Sequence, residues 1–220
     1  MDQIKYQDVV VWLPTYNEEM NILKMITDIQ NLGFTVNVSD GGSADNTVAL
    51  AKQAGVKVYM RPGKHKGYGI QRAIEESYKI GYKKFIYIDC DQTYPVAKLP
   101  ELYNLANDND IVVGARDFSK IVFLNRMANH IFTGLINLLF GSHLKDTQSG
   151  MRIIHIEKFL GNIRSEAFDL ETELTCFALK NKLKMEELPI DYYQRVGESK
   201  ASLLQAILIL RRILICRITD

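Results

Sequence analysis

The sequence predicts an α/β fold built on a mostly parallel sheet flanked by helices. Short apolar runs alternate with amphipathic stretches through the first half of the chain, glycines close those stretches, and polar clusters follow the apolar runs. Alternation at these lengths implies βαβ units with right-handed crossovers. The polar clusters would then line one edge of the sheet, where open α/β sheets bind their ligands.

Residues 9–13 (VVVWL) read as the first strand, with Pro14 stopping it. An amphipathic helix follows over 19–32 and ends at Gly33. A second strand is expected at 35–39, then a helix at 47–54 stopped by Gly55. A third strand at 56–60 precedes a helix at 68–80 closed by Gly81. Strands at 85–88 and 111–114 complete the first half. The pattern then changes to a long apolar helix at 124–140, a short strand at 151–154 and a helix at 171–182. A strand at 185–192 and an apolar helix at 202–218 finish the chain.

No linker divides the 220 residues, so one domain over 1–220 is expected. A net charge of +1 gives no electrostatic case for nucleic acid. The three cysteines, Cys90, Cys176 and Cys216, are far apart and suggest no disulfide framework. The N-terminus carries no signal-peptide pattern. No stretch reaches the roughly eighteen uninterrupted apolar residues of a membrane span.

Asp89-Cys90-Asp91 follows the apolar run Phe85-Ile86-Tyr87-Ile88. Acids two positions apart at a strand end place hard oxygen donors at the sheet rim, suited to a divalent cation shared with substrate phosphates. The bland alternative is a loop whose acids face solvent. Pro14-Thr15-Tyr16-Asn17-Glu18 follows the first strand. Asn17 or Thr15 could cap the next helix; alternatively Tyr16 stacks on a base and Glu18 accepts from its edge. Asp40-Gly41-Gly42-Ser43-Ala44-Asp45-Asn46-Thr47 follows the second strand. Ser43, Asp45 or Thr47 could cap the following helix, and Asp40 is the candidate ligand contact. The G-x-G-x-x-G fingerprint is absent, which argues against a nicotinamide dehydrogenase. Lys66-Gly67-Tyr68-Gly69 opens a helix and could favour phosphate there, or be a solvated turn. Arg116, Arg126, Asp146, Ser149, Arg152, Arg195 and Lys200 supply further polar groups, and arginines suit phosphate oxygens.

In their order and spacing these motifs resemble family 2 glycosyltransferases of the GT-A (Rossmann-like) fold, in the branch of dolichol-phosphate mannosyltransferases and other polyprenyl-phosphate glycosyltransferases. The resemblance runs from about Val9 to Lys200. It implies a nucleotide-binding half over about 1–115 and an acceptor-binding half over about 116–220. Pro14, Tyr16, Glu18, Asp40, Lys66, Asp89 and Asp91 would bind the sugar nucleotide, a GDP- or UDP-hexose. Asp89 and Asp91 would hold Mg²⁺ or Mn²⁺. Asp91, Asp146, Arg116 and Arg195 would be catalytic. Arg126, Ser149, Arg152, Arg195 and Lys200 would face the acceptor phosphate. Two departures stand out: many relatives carry two aspartates where this chain has Asp40-Gly41, and Thr93 replaces a glutamine that helps bind metal in the mannosyltransferase.

The implied reaction is inverting transfer of a hexose to a polyprenyl phosphate. A phosphate acceptor is already an anion and needs no strong base, whereas a sugar or protein hydroxyl would need a carboxylate, with Asp146 the candidate. Glu173 either occupies a family position or is a buried helix carboxylate with a structural partner. The apolar segments 124–140 and 203–218 contain arginines and suit an amphipathic interfacial role; they could equally be core helices. The expected setting is peripheral, at the cytoplasmic face of a membrane, or as the soluble domain of a membrane-associated enzyme. A non-catalytic nucleotide-sugar-binding subunit is the alternative from another class.

Overall fold

The computed structural model describes residues 6–61, 65–121, 123–165, 169–195 and 203–218. Its first half alternates strand and helix: β1 (Val9–Thr15), α1 (Ile22–Asn31), β2 (Thr35–Asp40), α2 (Thr47–Gln53), β3 (Lys57–Met60), α3 (Lys66–Ile80), β4 (Lys84–Ile88), α4 (Leu99–Leu105) and β5 (Ile111–Arg116). The second half contributes α5 (Phe123–Phe140), β6 (Met151–His155), α6 (Ile156–Phe159), α7 (Leu170–Lys180), β7 (Met185–Ile190) and α8 (Leu203–Ile218). The strands form one seven-stranded sheet in the order β3-β2-β1-β4-β6-β5-β7. β6 alone runs antiparallel to its neighbours, β4 and β5. The order turns between β1 and β4, and the loops leaving these strands diverge there.

β1 is buried along its whole length because both faces of the sheet are covered. Its side chains alternate between two cores. Val9, Val11 and Leu13 pack with Ile22, Met25, Ile26 and Ile29 of α1. Val10 and Trp12 pack with Ile70, Ala73 and Ile74 of α3 and with Leu170 and Leu174 of α7. Burying each large side chain contributes roughly 1.5–3 kcal/mol. Trp12 also finds a partner for its polar atom, since Nε1 donates to Ser77 Oγ at 2.9 Å. A third cluster joins the long helices of the second half through Phe132, Ile136, Cys176 and Ile213.

Pro14 does not stop β1. The ladder with β4 ends at Trp12↔Tyr87, while pairing with β2 continues to Thr15↔Asp40. Pro14 therefore lies where β1 has a neighbour on one side, and its missing N–H breaks no second ladder. The cap of α1 also differs from expectation. Asn21 takes the N-cap position, Thr15 Oγ1 donates to Asp40, and Asn17 accepts from Ala44 N. At α2 the N-cap position falls to Asn46, which makes no side-chain cap hydrogen bond; Asp45, one position earlier, accepts from Thr47 N at 3.0 Å. The helices α4 and α6 carry no strong periodic signal and had no counterpart in the sequence reading.

Candidate active site

The loops after β1 and β2 are sewn together before any ligand arrives. Asn17 N donates to Ser43 Oγ, Glu18 N to Thr47 Oγ1 and Glu19 N to Asp45. Asp40 is fully buried, and both its oxygens are used: Gly42 N and Ser43 N donate to one, Thr15 Oγ1 and Ser43 Oγ to the other. Arg61 lies beneath, donating to the Ser39 carbonyl. Burial brings its pKa down to about 10, against the pull of Asp40. Asp40 thus shapes the loop that Tyr16 and Glu18 border, and offers no oxygen to solvent. Pro14 is buried, and Tyr16 and Glu18 are half-buried.

At the end of β4 the D-C-D acids diverge. Asp89 is partly exposed and accepts from Lys66 Nζ at 3.0 Å. Lys66 also pairs with Glu171 at the start of α7. Burial favours the neutral amine, but the Asp89 and Glu171 carboxylates outweigh it and hold the Lys66 pKa well above its ordinary value. Gly150 lies against Asp89, and a Cβ there would sit 2.1 Å from Asp89 Oδ2. Asp91 is 2% exposed. One of its oxygens accepts from Thr93 N and Thr93 Oγ1, and the other pairs with Arg195.

Among the described residues no group of three or more His, Cys, Asp or Glu side chains is gathered for a metal ion. The donor set still fits a hard divalent cation. Asp89 is partly exposed at the sheet rim and Asp91 is buried beside it, and each carboxylate neutralises a cationic side chain, Lys66 or Arg195, that a divalent ion could replace. A Mg²⁺-type ion takes one or two protein carboxylates and completes its shell with water and phosphate oxygens.

The second half contributes a buried polar frame. Arg116 grips Asp146 with Nε at 2.6 Å and Nη2 at 3.0 Å. Burial opposes the charge on Arg116, but the Asp146 carboxylate it grips holds its pKa above the usual value. Asp146 is fully buried, and each oxygen also accepts a backbone N–H, from Arg116 or Gln148. The expected roles of this pair need revision: Arg116 is committed to Asp146, and Asp146 has no oxygen left for a proton from an acceptor.

Arg152 likewise does not reach a phosphate. It is fully buried and donates to the carbonyls of Ser149, Thr147 and Glu171 and to Thr175 Oγ1. Its role is to fix the 147–150 turn on α7. Ser149 is also buried, its Oγ accepting from Met151 N. Arg126 lies away from this frame on α5, its guanidinium 5.5 Å from the Phe123 ring. Lys200 lies outside the described residues. Glu173 accepts from Arg164 N and Ser165 N and pairs with Arg212 of α8.

The structure also identifies residues that the sequence did not single out. Tyr94 accepts from Gly150 N and packs edge-on to Tyr192. Burial raises its pKa and keeps it neutral. Glu187 accepts the N–H groups of Lys145 and Asp146. Glu171 lies two positions before Glu173, and only its register on α7, facing Lys66, marks it as part of the site.

The Glycosyl transferase family 2 profile matches residues 10–161. The glycosyltransferase AglJ of Haloferax volcanii is 32% identical over 202 residues, covering 89% of this chain and 66% of the relative, just under two thirds of its length. A dolichyl-phosphate hexose transferase of the same organism is 32% identical over 207 residues, covering 91% and 89% of the two chains. Among solved structures, glucosyl-3-phosphoglycerate synthase from Mycobacterium tuberculosis, in complex with Mn²⁺, UDP and phosphoglyceric acid, superposes with a TM-score of 0.81 at 17% identity. That likeness covers 96% of this chain and 79% of the other, and is a likeness of GT-A fold.

Proposed function

The chain belongs to glycosyl transferase family 2 and is a glycosyltransferase, and from that premise we propose that it moves a hexose from a nucleoside-diphosphate sugar to a polyprenyl phosphate at a membrane surface, with inversion. The observation that carries the choice of acceptor is the state of Asp146. A hydroxyl acceptor needs a carboxylate to take its proton, and Asp146 is buried with both oxygens occupied. An anionic phosphate needs no such base. The similarity to a dolichyl-phosphate hexose transferase supports the same reading.

In this reading the nucleoside rests against the joined loops, bordered by Tyr16 and Glu18, with Asp40 holding their shape. Asp89 and Asp91 would hold a Mg²⁺ or Mn²⁺ ion, which would supply Lewis-acid relief of negative charge on a diphosphate. Lys66 balances Asp89 until the diphosphate arrives. Arg195 then exchanges Asp91 for an incoming phosphate, whose oxygens it suits bidentately. The Arg116–Asp146 pair and Arg152 keep the floor of the site rigid, so that positive charge is preorganised.

The lipid would lie along α5 and α8. Phe123, Leu124, Met127 and Ile131 of α5 and Leu204, Ile207, Leu214 and Ile218 of α8 are exposed. Neither helix carries an acidic residue. Among the described residues no helix is long and apolar enough to cross a membrane, so an interfacial placement suits these apolar, basic faces. The 1–220 chain then acts as one unit, with the nucleotide on β1, β2 and β4 and the acceptor on the second half. Incubation with nucleotide sugars and either polyprenyl phosphate or the matching polyprenol tests the reading. Glycosylation of the phosphate alone is expected. Equal use of the alcohol would overturn the anionic-acceptor mechanism.

A further inference from the structure

The donor site makes no use of Cys176 or Cys216, yet the fold brings these distant thiols together. Cys176 is fully buried on α7. Cys216 lies on the last turns of α8, in the same small cluster, packed with Phe132, Ile136 and Ile213. One hydrophobic cluster between α5, α7 and α8 thus holds both thiols. Both cysteines are free. The surroundings are asymmetric. Cys216 lines an open surface groove of about 260 Å³ with Leu139, Phe140, Lys180 and Arg217, whereas Cys176 has no surface of its own.

We propose that Cys176 and Cys216 form a redox-active pair, in which Cys216 is the entry point for a hydroperoxide oxidant and Cys176 the resolving thiol. Cys216 borders the groove and Cys176 is enclosed, so an oxidant reaches the Cys216 sulfur first. The Cys216 thiolate attacks the hydroperoxide, the O–O bond breaks, and sulfenic acid forms with release of alcohol or water. The Cys176 sulfur then attacks the sulfenic sulfur, gives up its proton, and expels water as the S–S bond forms. The thiols lose two electrons and the peroxide gains them.

The product would fasten α8 to α7 covalently. Without it, the described contacts of α8 include the Arg212 ion pairs with Asp169 and Glu173 and the buried Ile213. This inference stands apart from the identity of donor and acceptor.

The test treats the purified full chain with hydrogen peroxide, then blocks and maps the thiols by mass spectrometry. The expected product is an intact chain lighter by two hydrogens, with the Cys176 and Cys216 peptides linked and Cys90 still free. Closing a loop of this length is expected to raise Tm by roughly 5–10 °C in the oxidised protein, reversed by dithiothreitol. Cys216→Ser should abolish the link and the Tm rise. Because the linkage is mapped in the unmodified protein, folding of the variant does not decide the outcome. Unlinked Cys176 and Cys216 peptides after oxidation, a persistent sulfinic acid on Cys216, or a link between two chains through Cys216 would each overturn the proposal.

Discussion

Single atoms decide much of this site. Gly150 is glycine because the carboxylate of Asp89 occupies the space that a Cβ would take. Gly150→Ala is therefore expected to push Asp89 away from Lys66 and reduce turnover by at least tenfold, with the fold retained by circular dichroism. Wild-type kcat in that variant would show that the position of Asp89 does not matter. Asp40→Ala removes a buried carboxylate that accepts four hydrogen bonds from the β1 and β2 loops. Leaving buried donors unpaired costs about 1–3 kcal/mol, so a lowered Tm is expected together with weaker binding of nucleoside diphosphate and sugar nucleotide alike. A loss confined to the sugar nucleotide would argue that Asp40 touches the sugar. Types and positions such as Asp89, Asp91 and Asp40 were legible in the sequence. Their partners were not, because pairing of Arg116 with Asp146 spans 30 positions and depends on where β5 and the 147–150 turn meet.

Between elements, the α7–α8 junction shows how charge and burial compete. Burial raises the pKa of Glu173, and Arg212 only partly offsets it. Removing that cation in Arg212→Ala leaves two buried carboxylates, Asp169 and Glu173, without their ion pair. Loss of a buried partner costs up to about 3–5 kcal/mol, and this one, near the surface, is expected to cost roughly 2 kcal/mol. The sign with pH follows from proton binding. A carboxyl whose folded pKa is raised holds more protons than its unfolded counterpart, so its contribution is most favourable at low pH and is lost as pH rises through the folded value. The defect of Arg212→Ala should thus be smaller near pH 5 than near pH 8, as read by Tm. A defect that grows on acidification would contradict the assignment. The parallel first half was readable because period and glycine stops agree at each step, as for α3 with Gly81 at its C-cap. The boundaries drifted where tertiary pairing outlasted local signals, as β1 and β5 did by running on to Thr15 and Arg116.

The chain forms one sheet with a polar rim and an apolar flank, and the proposed function assigns a different kind of binding to each. In the proposed reading the nucleotide would lie on the loops after β1, β2 and β4, and the hydrogen bonds that join the first two involve neither α5 nor α8. The exposed apolar faces of α5 and α8 would, in the same reading, meet the lipid, and their arginines its anionic head groups. Each large side chain inserted into a bilayer interface gains from burial in proportion to its apolar area. Replacing Leu124 and Leu214, 75% and 51% exposed, by glutamate removes that gain and adds two charges of the wrong sign, without disturbing a core. The double variant should keep its Tm and its affinity for nucleoside diphosphate, while co-sedimentation with vesicles containing an anionic phospholipid falls at least tenfold. Transfer to a short, water-soluble prenyl phosphate should persist, and transfer to long-chain acceptor in vesicles should drop with binding. If vesicle binding survives the substitutions while the variant is folded, the lipid-facing role of α5 and α8 is wrong. Failure of both acceptors with vesicle binding reduced and nucleotide binding intact would point instead to these helices shaping the acceptor site itself.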